Sequence, residues 1–402
     1  WPITGRLSNA DVFDKLVGPK LLESGRRVAY LLIDAMRYEL GVELAKHLSE
    51  AGQIDVQVAC AQMPTVTPVG MATLLPEASQ NLKIANKDNQ LLVVFGDQPL
   101  ATVTQRMDML RKKYGQRFAE MELVRFVRDH PKIESTVELL VIRSNDMDND
   151  FEANPEAAPG LISRTFQKIR SAIYKLRDLG FQDVIIATDH GFFFILAIEP
   201  GDVCAKPSGK WINVHERTLL GDGVSDASNL VLPSEMLGIR GEYSQVAIPR
   251  ALVAYRAGQW YFHGGLSLQE AIVPVIAVKI RAAEIGIGSK LSVMLNYKRG
   301  SKKITTRLPV IEVEAGASDL FAQETELLIE AYDVKGHVVG EAKPGGPVNP
   351  ATRIITLKPG DTIPITLKMD MDFEGKFVVK ALDPITQTAL GKPLELETDY
   401  TV

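Results

Sequence analysis

The chain has 402 residues, 46% hydrophobic and 24% charged, a balance that excludes extensive disorder and, at this length, favours two domains over one core. A formal net charge of −5 excludes a global basic field for nucleic acid, although not a local basic groove. Only Cys60 and Cys204 are present, which excludes a disulfide framework and points to a reducing cytoplasm. No apolar segment is long enough to span a bilayer and no leader pattern is visible, so no membrane contact is expected. A start at Trp1 rather than methionine is expected of a fragment or a processed chain.

Residues 1–26 mix polar and apolar positions, with a short helix expected over 11–22. The run 28–33 (VAYLLI) then ends at Asp34 and reads as a strand buried on both faces of a parallel sheet. Asp34 would stand at its carboxyl end, where open α/β sheets bind ligands. Leu40, Leu44 and Leu48 predict a helix over 38–50 that stops before Gly52, and a strand over 56–61 follows. Thr67-Pro68 reads as a helix start, with Thr67 at the N-cap and Pro68 at the first helical position. Such a start favours a phosphate or a developing oxyanion.

Between 91 and 130 the pattern predicts a strand over 92–95 and one long helix carrying Met107, Leu110, Phe118, Met121 and Leu123. A buried strand over 138–142 leads into an acidic stretch holding Asp146, Asp148, Asp150 and Glu152, which alone reads as a solvated loop. Ile162, Phe166, Ile169, Ile173 and Leu176 mark a helix ending at Gly180, and the strand 183–188 (DVIIAT) runs into Asp189-His190-Gly191. Strand, helix, strand in this order is a right-handed crossover, so the strands are parallel and their carboxyl ends agree. Asp34, Asp189 and His190 thereby reach one sheet edge, and carboxylate with imidazole is a metal-ligand combination.

Lys210, His215 and Arg217 follow in a loop-rich stretch and could face a phosphate. Strands over 245–255 and 259–262 are expected to pair through a hairpin at Arg256-Ala257-Gly258. His263 comes next, and Gly264 and Gly265 allow the backbone to turn its imidazole towards a site. After a buried run over 270–280, residues 285–289 (IGIGS) read as a linker. Alternating segments over 291–297, 303–313, 326–332, 353–357, 362–369 and 376–382 suggest an Ig-like β-sandwich, suited to binding or support. The expected architecture is α/β, with a mostly parallel central sheet in residues 1–285 (1–26 being a short extension) and the sandwich in 286–402.

Four ordered blocks resemble the signatures of the PglZ family, a branch of the alkaline phosphatase superfamily found in BREX phage-defence systems. They are LIDAMRYELG (32–41), MPTVTPVGMATLLP (63–76), TDHGF (188–192) and HGGLSLQEAIVPV (263–275), and the resemblance spans residues 27–283. It implies an alkaline phosphatase-like core and a metal-dependent phosphoester hydrolase, with diesters ahead of monoesters. Two divalent ions are implied, zinc first and manganese or magnesium as alternatives. Nucleotide or nucleic acid substrates and other BREX proteins as partners are implied too. Carried over by block, Asp34, Asp189 and His190 would hold one metal, with Thr67 bridging as the nucleophile. His263, Asp148 and Glu152 would hold the other. Glu152 stands where related phosphodiesterases commonly have His, and Asp146 and Asp150 are rival ligands. Thr67 is preferred to Thr65 because the second Thr of a Pro-Thr-x-Thr run is the nucleophile in similar nucleotide phosphodiesterases. Arg37, Lys210 and Arg217 are the candidates for gripping phosphate. The frame around Thr67 lacks the Cys or Ser that a sulfatase needs. The alternative is a partly degenerate phosphatase-fold scaffold that docks other defence proteins; retention of Asp34, Thr67, Asp189, His190 and His263 together favours the enzyme.

Overall fold

Every residue of the strand Val28–Ile33 is buried, as its unbroken apolar run predicts. It pairs in parallel with Leu139–Ser144 on one side and Asp183–Thr188 on the other. Side chains alternate between two cores: Tyr30 and Leu32 pack with Val141, Ile185 and Ala187, whereas Leu31 and Ile33 pack with Ile142, Val184 and Ile186. Full burial of each such aliphatic side chain contributes roughly 1.5–3 kcal/mol. The three strands are therefore held firmly, and so are the polar residues that follow them.

The computed structural model describes residues 1–129, 131–195, 203–256, 260–281, 292–316, 324–350, 353–384 and 387–400. Two compact units result, Trp1–Ala282 and Ala283–Val402. In the first, a seven-stranded sheet runs in the order Leu7–Ser8, Gly52–Cys60, Ile272–Ile280, Asp183–Thr188, Val28–Ile33, Leu139–Ser144, Phe118–Glu122. Only Ile272–Ile280 opposes its neighbours, so this is an α/β fold with a mixed, mostly parallel central sheet. The helices Tyr38–His47 and Ala158–Asp178 pack Leu44, Phe166, Ile169 and Ile173 onto one face. Residues 1–26 join this unit: Leu7–Ser8 extends the sheet, and Val12, Phe13 and Val17 are buried in its core.

Several elements differ from the expectation. The segment predicted as one long helix is a helix (Val103–Tyr114), an edge strand (Phe118–Glu122) and a second helix (Leu123–Asp129). Gly115, at φ 57°, ends the first helix, and pairing beside Leu139–Ser144 outweighs the helical spacing of the residues beyond. The acidic stretch is a helix, Asp146–Ala153, because Met147 and Phe151, four apart, both reach the core. Strand 245–255 does not form a hairpin with 259–262. Gln245–Pro249 instead lies between Thr218–Gly223 and Asn229–Pro233, and Tyr261–Phe262 pairs with Phe193–Phe194. Ala257 and Gly258 of the expected turn lie outside the described residues.

The second unit is built of strands in the order Ser292–Asn296, Val310–Gly316, Thr362–Met369, Val338–Ala342, Thr325–Asp333, Lys376–Leu382, Leu394–Thr398, Lys303–Ile304, with Ile355–Leu357 paired to Thr325–Asp333. Alternate residues, including Leu295, Val313, Ile365 and Leu367, form its own core. The expected linker, 285–289, lies outside the described residues.

Candidate active site

Each of three neighbouring parallel strands delivers an acid at its carboxyl end. Asp34 follows Val28–Ile33, Asp189 follows Asp183–Thr188, and Asp148 lies in the helix after Leu139–Ser144. The ends are stitched together. The Ala35 N–H donates to Asp189 Oδ1 at 3.2 Å and the Met36 N–H to Thr188 Oγ1 at 2.9 Å. These bonds hold Ala35 at φ 61°, a left-handed conformation that costs a non-glycine residue roughly 1–2 kcal/mol. Buried Asn9 braces the same turn, its Nδ2 donating to the carbonyls of Thr188 (2.9 Å) and Asp189 (3.2 Å).

The helix Thr67–Thr73 begins one residue earlier than expected, with Val66 as its N-cap, so Pro68 occupies the second helical position. Thr67 is thereby relieved of capping. Its Oγ1 lies 3.4 Å from Asp34 Oδ1 and 3.2 Å from His190 Nε2. Gly70 makes this approach possible: a Cβ there would fall 2.6 Å from Asp189 Cβ and 2.8 Å from its carbonyl oxygen. Thr65 is occupied elsewhere, donating through Oγ1 to the Gly265 carbonyl at 2.7 Å.

The two histidines are oriented through their far nitrogens. His190 Nδ1 is 3.0 Å from the Gly191 carbonyl and His263 Nδ1 is 3.0 Å from that of Thr65. A carbonyl only accepts, so each Nδ1 carries a proton, and in the neutral ring the lone pair then lies on Nε2. Pairing of Phe193–Phe194 with Tyr261–Phe262 brings the two loops together, and Gly264, at φ 105°, turns the chain after His263. The rings stack with centroids 4.2 Å apart and planes within 8°. Two groups of potential ligand atoms result, each within 4.8 Å of one another: Asp34, Asp189 and His190, and Asp148, His190 and His263. His190 belongs to both.

The electrostatics of this cluster are unfavourable as the protein alone supplies them. Burial pushes the Asp34 carboxyl well above its usual range, reinforced by the charges of Asp189 and Asp148. Burial also raises Asp189, whose Oδ2 has no hydrogen-bond partner although it lies 3.3 Å from His190 Nε2. The same burial, with His190 and His215 nearby, holds His263 well below the normal imidazole range. Acids that resist ionisation, beside a His263 imidazole that resists protonation, are what a divalent cation would reverse. The donor set and the orphaned Asp189 oxygen fit such an ion.

The acidic helix sorts its own residues. Asp148, 8% exposed, points inward and accepts from the Tyr261 hydroxyl at 2.5 Å. Asp146 is paired with Lys168 Nζ at 2.6 Å, and Asp150 is half-buried, raised by burial and by Asp146. Glu152 is exposed one turn beyond Asp148; desolvation and then Asp148 raise its carboxyl, while His215 and His190 act the other way. His215, which loop composition left indistinct, lies against His263 with ring centroids 3.9 Å apart and planes tilted by 39°, and donates from Nδ1 to the His263 carbonyl at 3.1 Å. Burial works against its charged form, but neighbouring Glu216 outweighs burial and raises its pKa. The adjacent His215-Glu216 pair was the available sequence signal; Tyr261 offered none.

The cations expected to grip phosphate are placed differently from one another. Arg37 precedes the helix Tyr38–His47, ion-paired with Glu39 and 5.6 Å from the Phe192 ring centroid. Lys210 is exposed on the strand Gly209–His215, opposite Asp222. Arg217 is buried, its Nε donating to Glu270 Oε1 at 2.9 Å, and the same oxygen accepts from the Gly265 N–H at 2.8 Å. Arg217 thus braces the turn that carries His263. Two arginines that sequence reasoning passed over, Arg106 and Arg143, instead line a cavity of about 520 Å³ together with Asp34 and Thr67.

Fold and site together define a class: an α/β domain whose mostly parallel sheet gathers carboxylates, imidazoles and a threonine at its carboxyl edge. The chain belongs to the PglZ family, for the profile of the BREX system PglZ alkaline phosphatase-like domain matches residues 12–278. The alkaline phosphatase-like protein PglZ of Bacillus cereus is 26% identical over 325 residues, 78% of this chain and 37% of that protein. The alkaline phosphatase-like protein BrxZ of Escherichia coli is 24% identical over 300 residues, 69% of this chain and 33% of that protein. The chain therefore spans about a third of the length of these relatives. Among solved structures, murine ectonucleotide pyrophosphatase/phosphodiesterase 5 in complex with AMP aligns with a TM-score of 0.42 at 10% identity, covering 63% of this chain and 87% of that one. Phosphonoacetate hydrolase from Sinorhizobium meliloti, in complex with phosphonoformate, aligns with a TM-score of 0.43 at 11% identity, covering 65% and 92%.

Proposed function

We propose that the first unit is a metal-dependent phosphoester hydrolase acting through Thr67, as part of a BREX-type anti-phage system. The observation that carries this reading is the position of Thr67 Oγ1, 3.2 Å from His190 Nε2 and 3.4 Å from Asp34 Oδ1, beside a buried Asp189 oxygen with no partner. A threonine hydroxyl is a weak nucleophile at neutral pH and needs such surroundings. Asp34, Asp189 and His190 would hold one divalent ion; Asp148 and His263, completed from the rim by Glu152, would hold a second. Mixed carboxylate and imidazole ligands suit zinc, with manganese or magnesium as alternatives. When bound, the ions supply charge stabilisation to the entering and leaving oxygens of an in-line displacement. Thr67 Oγ1 gives up its proton and forms its bond to phosphorus as the bond to the leaving group breaks, and the leaving oxygen takes up a proton and departs as the alcohol. Water then cleaves the Thr67–phosphorus bond, which restores the hydroxyl and releases a phosphomonoester from a diester or phosphate from a monoester. Ala35 and Met36 keep the acids in position through their backbone N–H groups, and the two imidazoles present Nε2.

Phosphodiesters ahead of monoesters, with nucleotide or nucleic acid as the natural class, follow from the family resemblance. So do other BREX proteins as partners. We read the second unit as an Ig-like sandwich that supports such docking. Among the described residues no helix is long and apolar enough to cross a membrane. Both cysteines are free, and on that ground we read the chain as cytoplasmic.

The test is hydrolysis of bis-(p-nitrophenyl) phosphate and of p-nitrophenyl phosphate with zinc, manganese, magnesium or chelator. Metal-dependent turnover is expected, lower by on the order of 10⁴-fold in Thr67→Ala, with thermal unfolding unchanged. Equal turnover in wild type and variant would remove Thr67 from the chemistry.

A further inference from the structure

We propose that Arg106 is the side chain that grips the reacting phosphoryl group, and that the cavity beside it receives the organic arm of the ester. The inference rests on the hydrolase reading above. Arg106 lies on the helix Val103–Tyr114, whose start is set by a capping box: the Gln105 N–H donates to Thr102 Oγ1 at 3.2 Å, and the Thr102 N–H donates to Gln105 Oε1 at 3.0 Å. The arginine is only 6% exposed, and arginine is rarely buried to this degree unless it is paired. Among the described residues no carboxylate comes within 4.0 Å of its guanidinium. Its hydrogen bonds run from one terminal nitrogen to the carbonyls of Leu100 (3.4 Å) and Ala101 (3.2 Å). These aim the group and leave most of its five donors unspent.

Neighbouring arginines show the contrast. Arg217 is as deeply buried but is neutralised by Glu270. Arg143, the other arginine of the cavity, is committed to Glu120 through two nitrogens at 3.1 and 2.7 Å. Arg106 alone of the two cavity arginines has a charge with no contacting counter-ion. The acids that act on it from further off are Asp189 and Asp34, the centre's own carboxylates, while burial opposes its charge. Once cations neutralise those acids, Arg106 retains a positive charge facing a space that also exposes Thr67. A planar guanidinium with free donors is matched to a phosphoryl oxygen.

The shape of the cavity identifies the rest of the substrate. Its volume is about 520 Å³, and Leu32, Met71, Met107 and Leu123 give it an apolar wall. Spaces of roughly 300–1,000 Å³ with such linings accommodate organic ligands, so inorganic phosphate would leave most of this one empty. An ester with an organic substituent would place its phosphate between Thr67 and Arg106 and its substituent on the apolar wall.

Calorimetric titration of inorganic phosphate into the zinc-loaded protein tests the grip without turnover. In Arg106→Gln, phosphate affinity should fall roughly 10–100-fold, the loss expected for hydrogen bonds between charged groups, with zinc content and unfolding temperature unchanged. Arg106→Lys keeps the charge but loses the planar fork, and should bind with intermediate affinity. It also serves should the glutamine variant fold poorly. Phosphate affinity equal to wild type in either variant, at equal zinc content, overturns the grip and leaves the hydrolase reading standing. A zinc-loaded wild type that neither binds phosphate nor cleaves either ester overturns both.

Discussion

Asp183 and Asp189 mark opposite ends of the same strand path, and both are buried, at 2% and 0% exposure. Their surroundings differ completely. Asp183 accepts from Lys20 Nζ at 2.9 Å and from Arg26 Nε at 2.5 Å. Burial opposes its ionised form, but the two cations outweigh burial and hold its carboxyl below the usual range. Asp189 receives backbone N–H bonds on Oδ1 and nothing on Oδ2, and burial moves its carboxyl upward. The amino end of the strand is an internally balanced ion cluster that serves the fold. The carboxyl end is deliberately unbalanced, and such sites are where groups from outside bind.

The sharpest way to break this comparison is Asp189→Asn. The amide oxygen preserves both backbone hydrogen bonds while removing the charge. Metal content and turnover should fall, turnover by on the order of 10⁴-fold, and the metal-free protein should unfold at the wild-type temperature or above. Elemental analysis, the ester assay and thermal unfolding with chelator present check this. A clear loss of metal-free stability would place Asp189 with the fold instead.

A smaller effect is expected from Gly70→Ala. The added methyl meets the Asp189 backbone and must move the helix that carries Thr67. A displacement near 1 Å would reduce kcat by roughly 100-fold. Activity above a third of wild type would show that the helix relaxes without moving its threonine.

Asp183→Asn should leave metal content untouched and cost roughly 2 kcal/mol of stability, measured by denaturant unfolding. The sign with pH follows from the depressed carboxyl of Asp183. Its contribution is complete above about 4, the unfolded value, and disappears as pH falls through the lower folded value. The gap between wild type and variant should therefore close on acidification. A gap that widens in acid would contradict the ion-cluster account.

Much of the sheet edge was readable from sequence because buried parallel strands are continuous apolar runs that end abruptly. The runs before Asp34 and Asp189 place both acids at corresponding ends, and the structure brings them together with His190. His263 was readable less directly, through the glycines that follow it. The acidic stretch was read as a loop because its charges hide Met147 and Phe151, the two residues that pull it into a helix and turn Asp148 inward. Arg106 gave no signal, since a basic residue in a polar helix is normally solvated.

Sequence by itself determined the identities and order of the strand-end residues, because hydrophobic periodicity and parallel crossover are local or nearly local properties. It also carried the blocks that place residues 12–278 in the PglZ family. Tertiary structure alone decided which charged groups are balanced. Lys20 and Arg26 reach Asp183, Glu270 reaches Arg217, and no carboxylate among the described residues contacts Arg106. Burial and counter-ions come from segments far apart in the chain, so no window of sequence records whether a charge is neutralised or left for a ligand.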